Sequence, residues 1–178
     1  MRSALAIGAA LAALAASPAV AGAREAALAG AFHHWCLGVA PSFQALDAAA
    51  TAAKLTVEKD TKTNTPGEGQ MESKLWAVAS EPTGTYDLTG GVAVRNGKTV
   101  TICGLAAQDA NGEAMLGLLS QPSEFGAPVD SRNSEDGGER LSQFKAPFAH
   151  ALILLSDGTP QNAAGVILNL TEVREPGR

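Results

Sequence analysis

Hydrophobic positions near the start of the chain repeat with the spacing of an α-helix. Over residues 24–37, apolar side chains recur every three or four residues, and one face carries Leu28, Phe32, Trp35, Cys36 and Val39. Gly38 and Pro41 end this segment, and Ser42 is placed to cap a second helix over residues 43–54. The pattern predicts two N-terminal helices and points Cys36 of the first toward the core.

Further along the chain, apolar and polar residues alternate as they do in half-buried β-strands. Residues 73–80 alternate in this way, and three later segments favour strands: residues 140–145, 148–156 and 163–173, the last two joined by a turn at residues 157–160. Residues 109–121 predict a third helix with Asp109 as its cap. Three polar or turn-rich segments are expected to be loops or turns, namely residues 60–70, 81–91 and 122–139.

The clearest local signal is Asn96-Gly97, which lies within the strand-like residues 92–105. Asn-Gly tolerates the positive φ angles of a type I′ turn and therefore predicts a two-residue hairpin loop. In that register Gly90 faces Cys103. We expect the missing side chain at Gly90 to leave room for the first helix, so that the sulfur of Cys36 can approach that of Cys103.

Composition limits the core that these elements can build. Aromatic residues make up 4% of the chain although 46% of it is hydrophobic, so small aliphatic side chains dominate and each buries little area. The 13 Lys and Arg against 18 Asp and Glu give a formal charge of -5, without a basic cluster. A chain of this kind is not expected to bind nucleic acid or an anionic membrane surface.

The first residues have the layout of a cleavable secretory signal peptide. Arg2 supplies a positive charge, residues 4–16 are uncharged and rich in Ala and Leu, and Ala19-Val20-Ala21 and Ala21-Gly22-Ala23 both fit the small-residue cleavage rule. The apolar stretch is shorter than the about 20 residues that span a bilayer. We expect residues 1–23 to be removed, which leaves 12 basic against 18 acidic residues in a soluble, periplasmic or secreted protein without a membrane anchor.

Export changes the expected role of the two cysteines, because disulfides form and persist outside the cytoplasm. We predict a bridge between Cys36 and Cys103, which closes a loop of about 68 residues and stabilises the domain by roughly 4 kcal/mol in the chain-entropy model. Reactive or metal-bound thiols are the alternatives. Residues 24–178 are thus expected to form one α+β domain: a mainly antiparallel sheet with the N-terminal helices packed on one face, a single disulfide and a flexible C-terminal tail.

Two groups of side chains raise the question of a metal site, and neither has the spacing of one. His33, His34 and Cys36 are close in sequence, but His34 and Cys36 lie about 160° apart around a helix, so both histidines cannot join the thiol on one ion. An acidic group could hold a weak calcium ion, although a solvated loop explains it more simply: Asp130, Asn133, Glu135, Asp136 and Glu139. We expect no metal and no cofactor.

His150 is the other candidate for chemistry. The alternation places it on a strand beside Phe148, Leu152 and Leu154, where a histidine is more often a half-buried structural residue than a general base. The sequence reveals no nucleophile or orienting carboxylate for it and contains none of the usual catalytic motifs. We therefore expect a non-enzymatic module that binds a protein or small-molecule ligand through the loops at residues 60–70 and 122–139. A small exported hydrolase using His150 and a loop carboxylate is the alternative.

Overall fold

The computed structural model of the protein describes residues 18–38, 42–65 and 69–175. Residues 1–17, which hold most of the predicted signal peptide, and residues 176–178 of the predicted tail lie outside the described residues. Within the described part of the chain, no helix is both long and apolar enough to cross a membrane. The elements in order are α1 (Pro18–Phe32), a π-helical turn (His33–Leu37), α2 (Phe43–Ala52), β1 (Thr56–Thr65), β2 (Gly69–Ser80), β3 (Gly84–Arg95), β4 (Lys98–Ala107), α3 (Gly112–Leu119), β5 (Asp130–Asn133), β6 (Arg140–Lys145), β7 (Ala151–Asp157), a 3₁₀ turn (Thr159–Gln161) and β8 (Val166–Arg174).

These strands form one antiparallel sheet of eight strands. Its order is β1-β2-β3-β4-β8-β7-β6-β5, so two four-stranded meanders meet where β4 pairs with β8. β1 and β5 form the two edges of the sheet. The predicted α+β class and the mainly antiparallel sheet are confirmed.

One face of the sheet carries the core. Its cross-strand partners are buried together across the central strands: Trp76 opposite Leu88, Leu88 opposite Leu105, Leu105 opposite Leu168, and Leu168 opposite Leu155. We call this the inner face and the opposite one the outer face. Because side chains alternate between the two faces along a strand, this continuous row fixes which residues of each central strand point inward.

The Cys36–Cys103 disulfide joins the π-helical turn to the inner face of β4, as predicted. Both cysteines are buried, and their Cα atoms lie 5.4 Å apart. In the same turn, the indole Nε1 of Trp35 donates a hydrogen bond of 3.0 Å to the hydroxyl of Tyr86 on β3. Both side chains are buried, and the hydrogen bond gives the indole N–H an acceptor and the phenol oxygen a donor.

The predicted hairpin register is confirmed, because Gly90 lies opposite Cys103. The space above Gly90 has a different occupant from the one expected. A Cβ atom added at Gly90 would lie 2.6 Å from Cδ2 of Leu46 and 3.4 Å from Cδ2 of Phe43. The glycine therefore admits α2, whose Leu46 fills the gap, rather than the first helix.

Two segments expected to be loops or turns belong to strands. Of residues 60–70, those up to Thr65 belong to β1 and those from Gly69 belong to β2. Residues 81–91 contain only a short turn before β3 begins at Gly84. None of the described side chains of the edge strand β1 is buried, so its residues lack hydrophobic alternation. The remaining signal in β1 is its content of Thr and Val, residues that favour strands.

The surroundings of α3 also differ from the prediction. This helix is capped by Asn111, whose side chain accepts a hydrogen bond from the backbone N–H of Ala114. Asp109, the expected cap, instead forms an ion pair with Arg24 of α1. The polar segment 122–139 is not a loop throughout, because it contains β5, which pairs with β6 at the edge of the sheet.

Removing the disulfide should lower the stability of the domain. In the Cys36→Ser/Cys103→Ser variant, the unfolded chain regains the freedom of a loop spanning a sequence separation of 67 residues. We expect a loss of roughly 4 kcal/mol, which corresponds to a fall in Tm of about 10 °C. Thermal melts followed by circular dichroism measure this change. An unchanged Tm in the double variant would show that the bridge contributes nothing to stability.

Gly90 and Gly117 offer a matched pair of alanine substitutions. Gly90→Ala places a methyl group against buried Leu46, and such overpacking costs about 1–3 kcal/mol. Gly117→Ala lies in α3 with no heavy atom within 4 Å of the new Cβ, so it should be neutral or stabilise the helix by up to about 1 kcal/mol. Urea denaturation of both variants measures the difference. Equal stability of the two variants would contradict the contact between Gly90 and α2.

Candidate functional site

A cleft opens on the inner face toward the Asn96-Gly97 end of the sheet. Leu88, on the inner face of β3, is 0% exposed, whereas Val94, on the same face of the same strand, is 42% exposed. The cleft at this end has a volume of about 640 Å³. Ligand-binding pockets usually have volumes of roughly 300–1,000 Å³, so the cleft is large enough for a small ligand.

The floor of the cleft is formed by β-branched residues of β3 and β4. These are Val92, Val94, Thr99 and Thr101, all on the inner face. Side chains of this type pack closely on a pleated sheet and have few rotamers to lose, which makes the floor stiff. Their methyl groups present an apolar surface, and the two threonine hydroxyls add hydrogen-bonding groups to it.

The walls of the cleft combine apolar and amide side chains. Phe43 of α2 contributes apolar surface. Met71 of β2 borders the cleft, but it lies opposite Ala93 and therefore points to the outer face, where it is 44% exposed. Hydroxyl and amide groups come from Ser42, Gln44, Asn64 and Gln70. Asn64 and Gln70 face each other near the tip of the β1–β2 hairpin, in the segment that the sequence predicts as a binding loop.

Two ion pairs stand at opposite sides of the cleft. On one side, Nζ of Lys62 on β1 lies 2.6 Å from Oε1 of Glu72 on β2. On the other side, Nε of Arg174 on β8 lies 3.1 Å from Oε2 of the buried Glu172. The hydrogen bond to Glu72 is the main cause that raises the pKa of Lys62, so this ammonium group is charged at neutral pH. β1 and β8 are four strand spacings apart, about 19 Å.

The first turn of α2 forms a wall whose position is fixed by two contacts. The side chain of Ser42 accepts a hydrogen bond of 3.2 Å from the backbone N–H of Ala45, as the predicted cap requires. One turn later, Nζ of Lys74 on β2 donates to both carboxylate oxygens of Asp47, at 2.8 and 2.7 Å. The helix start is therefore tied to the neighbouring strand beside the cleft.

The histidines and cysteine considered as metal ligands have other partners. Cys36 is in the disulfide. Nε2 of His33 lies 2.8 Å from Oε2 of Glu124, and its ring stacks on Phe125 with a centroid distance of 5.5 Å. The ring of His34 meets Trp35 edge-on at 4.7 Å. Across residues 18–38, 42–65 and 69–175, no group of three or more His, Cys, Asp or Glu is arranged to hold a metal ion.

Sequence reasoning does not find the pair of His33 and Glu124, because the two residues are 91 positions apart. His33 belongs to the π-helical turn and Glu124 to the segment that follows α3. Only the packing of α1 beside α3 brings the imidazole and the carboxylate together.

The acidic residues of segment 122–139 are divided between a strand and a turn. Asp130 and Asn133 begin and end β5. In the following turn, Asp136 accepts hydrogen bonds from the hydroxyl of Ser134 at 2.5 Å and the backbone N–H of Gly138 at 2.9 Å. The first of these is the main cause that lowers the pKa of Asp136, so this side chain is ionised at neutral pH. The carboxylates that the sequence groups together are thus divided between β5 and the turn that follows it.

The structure places His150 in a turn rather than on a strand face. β7 begins one residue later, and His150 is exposed with a φ angle of 61°. The inward residues of β7 are Ile153 and Leu155, whereas Leu152 and Leu154 point outward. The expected position of His150 on a strand beside Leu152 and Leu154 is therefore wrong, because the strand starts later than the apolar run.

A second cavity, of about 720 Å³, lies at the opposite end of the sheet. We call it the acidic cavity, because Asp87 of β3 lines it together with Asp136 and Glu139. The fourth carboxylate in its lining, Asp157, has a fully buried side chain and accepts hydrogen bonds of 3.0 Å from Nε of Arg140 and from the backbone N–H of Thr159. Asp157 is thus satisfied within the chain, as a buried charge must be.

Comparison of the chain with protein-family models, with curated proteins and with solved structures gave no match.

Proposed function

We propose that the protein is an exported module that binds an elongated ligand in the cleft on its inner face. The observation that carries this proposal is Val94, which is 42% exposed on the face that elsewhere forms the core. Exposing a large apolar side chain beside a volume of about 640 Å³ leaves free energy that a bound apolar group would recover.

The chemistry of the lining narrows the class of ligand. The apolar floor suits hydrocarbon or aliphatic side-chain groups, and the surrounding hydroxyl and amide groups suit hydrogen-bonding groups along a chain. At the two sides, the described cations Lys62 and Arg174 are each already balanced by a carboxylate, so neither offers a charged ligand a free countercharge. An extended peptide with apolar side chains fits this combination, since it carries backbone donors and acceptors along its length.

Export is supported by two features of the described chain. The buried Cys36–Cys103 bridge suits an oxidising compartment. Tertiary contacts among the described side chains begin immediately after the predicted cleavage sites: Gly22 and Ala23 are exposed, whereas Arg24 bonds to Thr85 and Asp109, and Glu25 accepts a hydrogen bond from Asn111. A domain starting near residue 24 would keep all of these contacts.

The alternative of a hydrolase using His150 has no comparable observation in its favour. His150 is exposed in a turn, and the histidine that is paired with a carboxylate is His33. We therefore keep the binding module as the proposed function.

Substitutions at two exposed valines test the cleft. Val94→Arg places a long charged side chain across the floor, whereas Val129→Arg makes the same change at a loop residue that is 63% exposed and does not line the cleft. We expect wild type and Val129→Arg to bind members of a synthetic library of extended apolar peptides, and Val94→Arg to bind them at least about tenfold more weakly. Native mass spectrometry and the ligand-induced rise in Tm measure this.

Two outcomes would contradict the proposed cleft. One is equal binding by Val94→Arg and wild type, which would place the ligand elsewhere. The other is failure of the wild-type protein to bind any peptide of the library. Parallel libraries of oligosaccharides and fatty acids distinguish a wrong ligand class from a cleft that binds nothing.

Export is tested by the N-terminus of the protein made from its full sequence in a bacterial host. We expect periplasmic protein that begins at Gly22 or Arg24 and contains no alkylatable thiol. Ala21→Arg should block processing, because Ala21 belongs to both predicted cleavage sites. N-terminal sequencing and thiol alkylation measure these outcomes. Cytoplasmic protein that retains residues 1–23 and has two free thiols would contradict the proposal.

A further inference from the structure

The outer face of the sheet differs from an ordinary solvent-facing sheet. Antiparallel sheets that cover a core on one side usually carry polar residues on the other. Here four outward residues of the central strands are large and apolar, and they are 36–40% exposed: Ile102, Leu152, Ile167 and Val173. Each lies next in sequence to an inward residue of its strand, such as Cys103 or Ile153, which confirms that it points outward.

Strand pairing joins these residues into one surface. Ile102 lies opposite Thr171, which in turn lies opposite Leu152, and Val100 lies opposite Val173. The outward positions of β7 and β8 carry no charged side chain. We call the following residues the outer patch: Ala93, Val100, Ile102, Leu152, Leu154, Ile167, Thr171 and Val173.

Charges of opposite sign lie at the two ends of this face. At one end, Arg95 and Lys98 flank the Asn96-Gly97 turn, and Lys98 also meets Glu175 at 3.2 Å. At the other end is the acidic cavity, with Asp87 on the same strand and the same face as Arg95. The two residues are eight positions apart, about 27 Å along β3.

We propose that a second copy of this chain packs its outer patch against this one, so that the β3–β4 hairpin of each copy lies at the acidic cavity of the other. Gly91 is four residues from both Asp87 and Arg95, and it lies opposite Ile102. A two-fold axis across the strands at this row exchanges the two ends of the face. It therefore sets Arg95 of each copy against Asp87 of the other and brings the two Ile102 side chains together near the axis.

The area of the face is sufficient for a dimer. Together with the flanking strands β2 and β6, the strands that carry the outer patch span about 29 Å, and six residues along each strand span about 20 Å. This gives roughly 600 Å² of flat surface per copy. The accessible surface is larger because the side chains stand out from the sheet, and it approaches the about 800 Å² that each partner buries in a standard interface. Two sheets packed face to face lie about 10 Å apart, a distance that aliphatic side chains of this size fill.

A second copy also fits the charge of the patch better than a lipid surface does. The chain carries a formal charge of -5, and the outer patch has no lysine or arginine within it, so anionic lipid would be repelled rather than attracted. A second copy offers the same apolar centre together with ends whose charges complement its own. Lys145 of β6 lies opposite Leu152 at the margin of this centre, and because it is exposed its charge can stay in solvent.

Sedimentation velocity of the wild-type protein and two variants provides the first test. We expect the wild-type protein at about 100 µM to have twice the monomer mass. The dissociation constant of the Ile102→Glu dimer should be higher by a factor of about ten or more, since two carboxylates would meet near the axis. Val129→Glu makes a comparable change at an exposed loop residue and should remain dimeric. Each variant is first shown to keep the circular dichroism spectrum of the wild type.

Exchanging the charges of Arg95 and Asp87 tests how the two copies are oriented. This test remains informative if Ile102→Glu fails to fold. Arg95→Glu and Asp87→Arg should each weaken the dimer, because each places like charges against one another across the interface. The double variant Arg95→Glu/Asp87→Arg should restore dissociation to within about threefold of wild type. Restoration cannot arise within one chain, where the two side chains are about 27 Å apart.

Three results would overturn the proposal. They are a wild-type protein that is monomeric at about 100 µM, a dimer that Ile102→Glu leaves intact, and an absence of rescue in the double charge variant. A monomer that sediments with vesicles of neutral phosphatidylcholine, and does so less when it carries Ile102→Glu, would assign the patch to a lipid surface instead. In none of these cases is the proposed cleft affected, since it lies on the inner face.

Discussion

The pairing of Gly90 with Cys103 in the β3–β4 hairpin is the constraint on which the helical layer depends. Cys103 holds the π-helical turn through its disulfide, and the missing side chain at Gly90 admits Leu46 of α2. Both residues face inward only in this register. A slip of one residue would turn Cys103 to the outer face and would remove the attachment of both helices at once.

The lengths of the elements explain why part of the inner face stays open. α2 has 10 residues and is therefore about 15 Å long, whereas the 12 residues of β3 extend about 40 Å. Helices attached near Gly90 and Cys103 leave Val94 uncovered, and the cleft lies there with the start of α2 as one of its walls. The proposed ligand site is thus a consequence of short helices on long strands.

The outer face follows from the same arrangement. Two of the contacts that hold the N-terminal helices, the disulfide and Leu46, meet the inner face. The apolar residues of β4, β8 and β7 on the other side therefore remain in solvent in the single chain. Keeping side chains such as Ile102 and Leu152 exposed to water is unfavourable in free energy. This cost is the physical basis for inferring that a second copy covers them.

The sequence by itself determined the features that depend on neighbouring residues. Asn96-Gly97 determined the turn and the hairpin register, and Ser42 determined the start of α2. Because the chain has two cysteines, it allows one intramolecular disulfide. Only the tertiary structure decided that β1 is a strand, because an edge strand with no buried side chain needs no apolar pattern. It also decided that Leu46 covers Gly90 and that His33 meets Glu124. Local dihedral preferences and periodicity are written in consecutive residues, whereas contacts between distant segments depend on how the helices pack on the sheet.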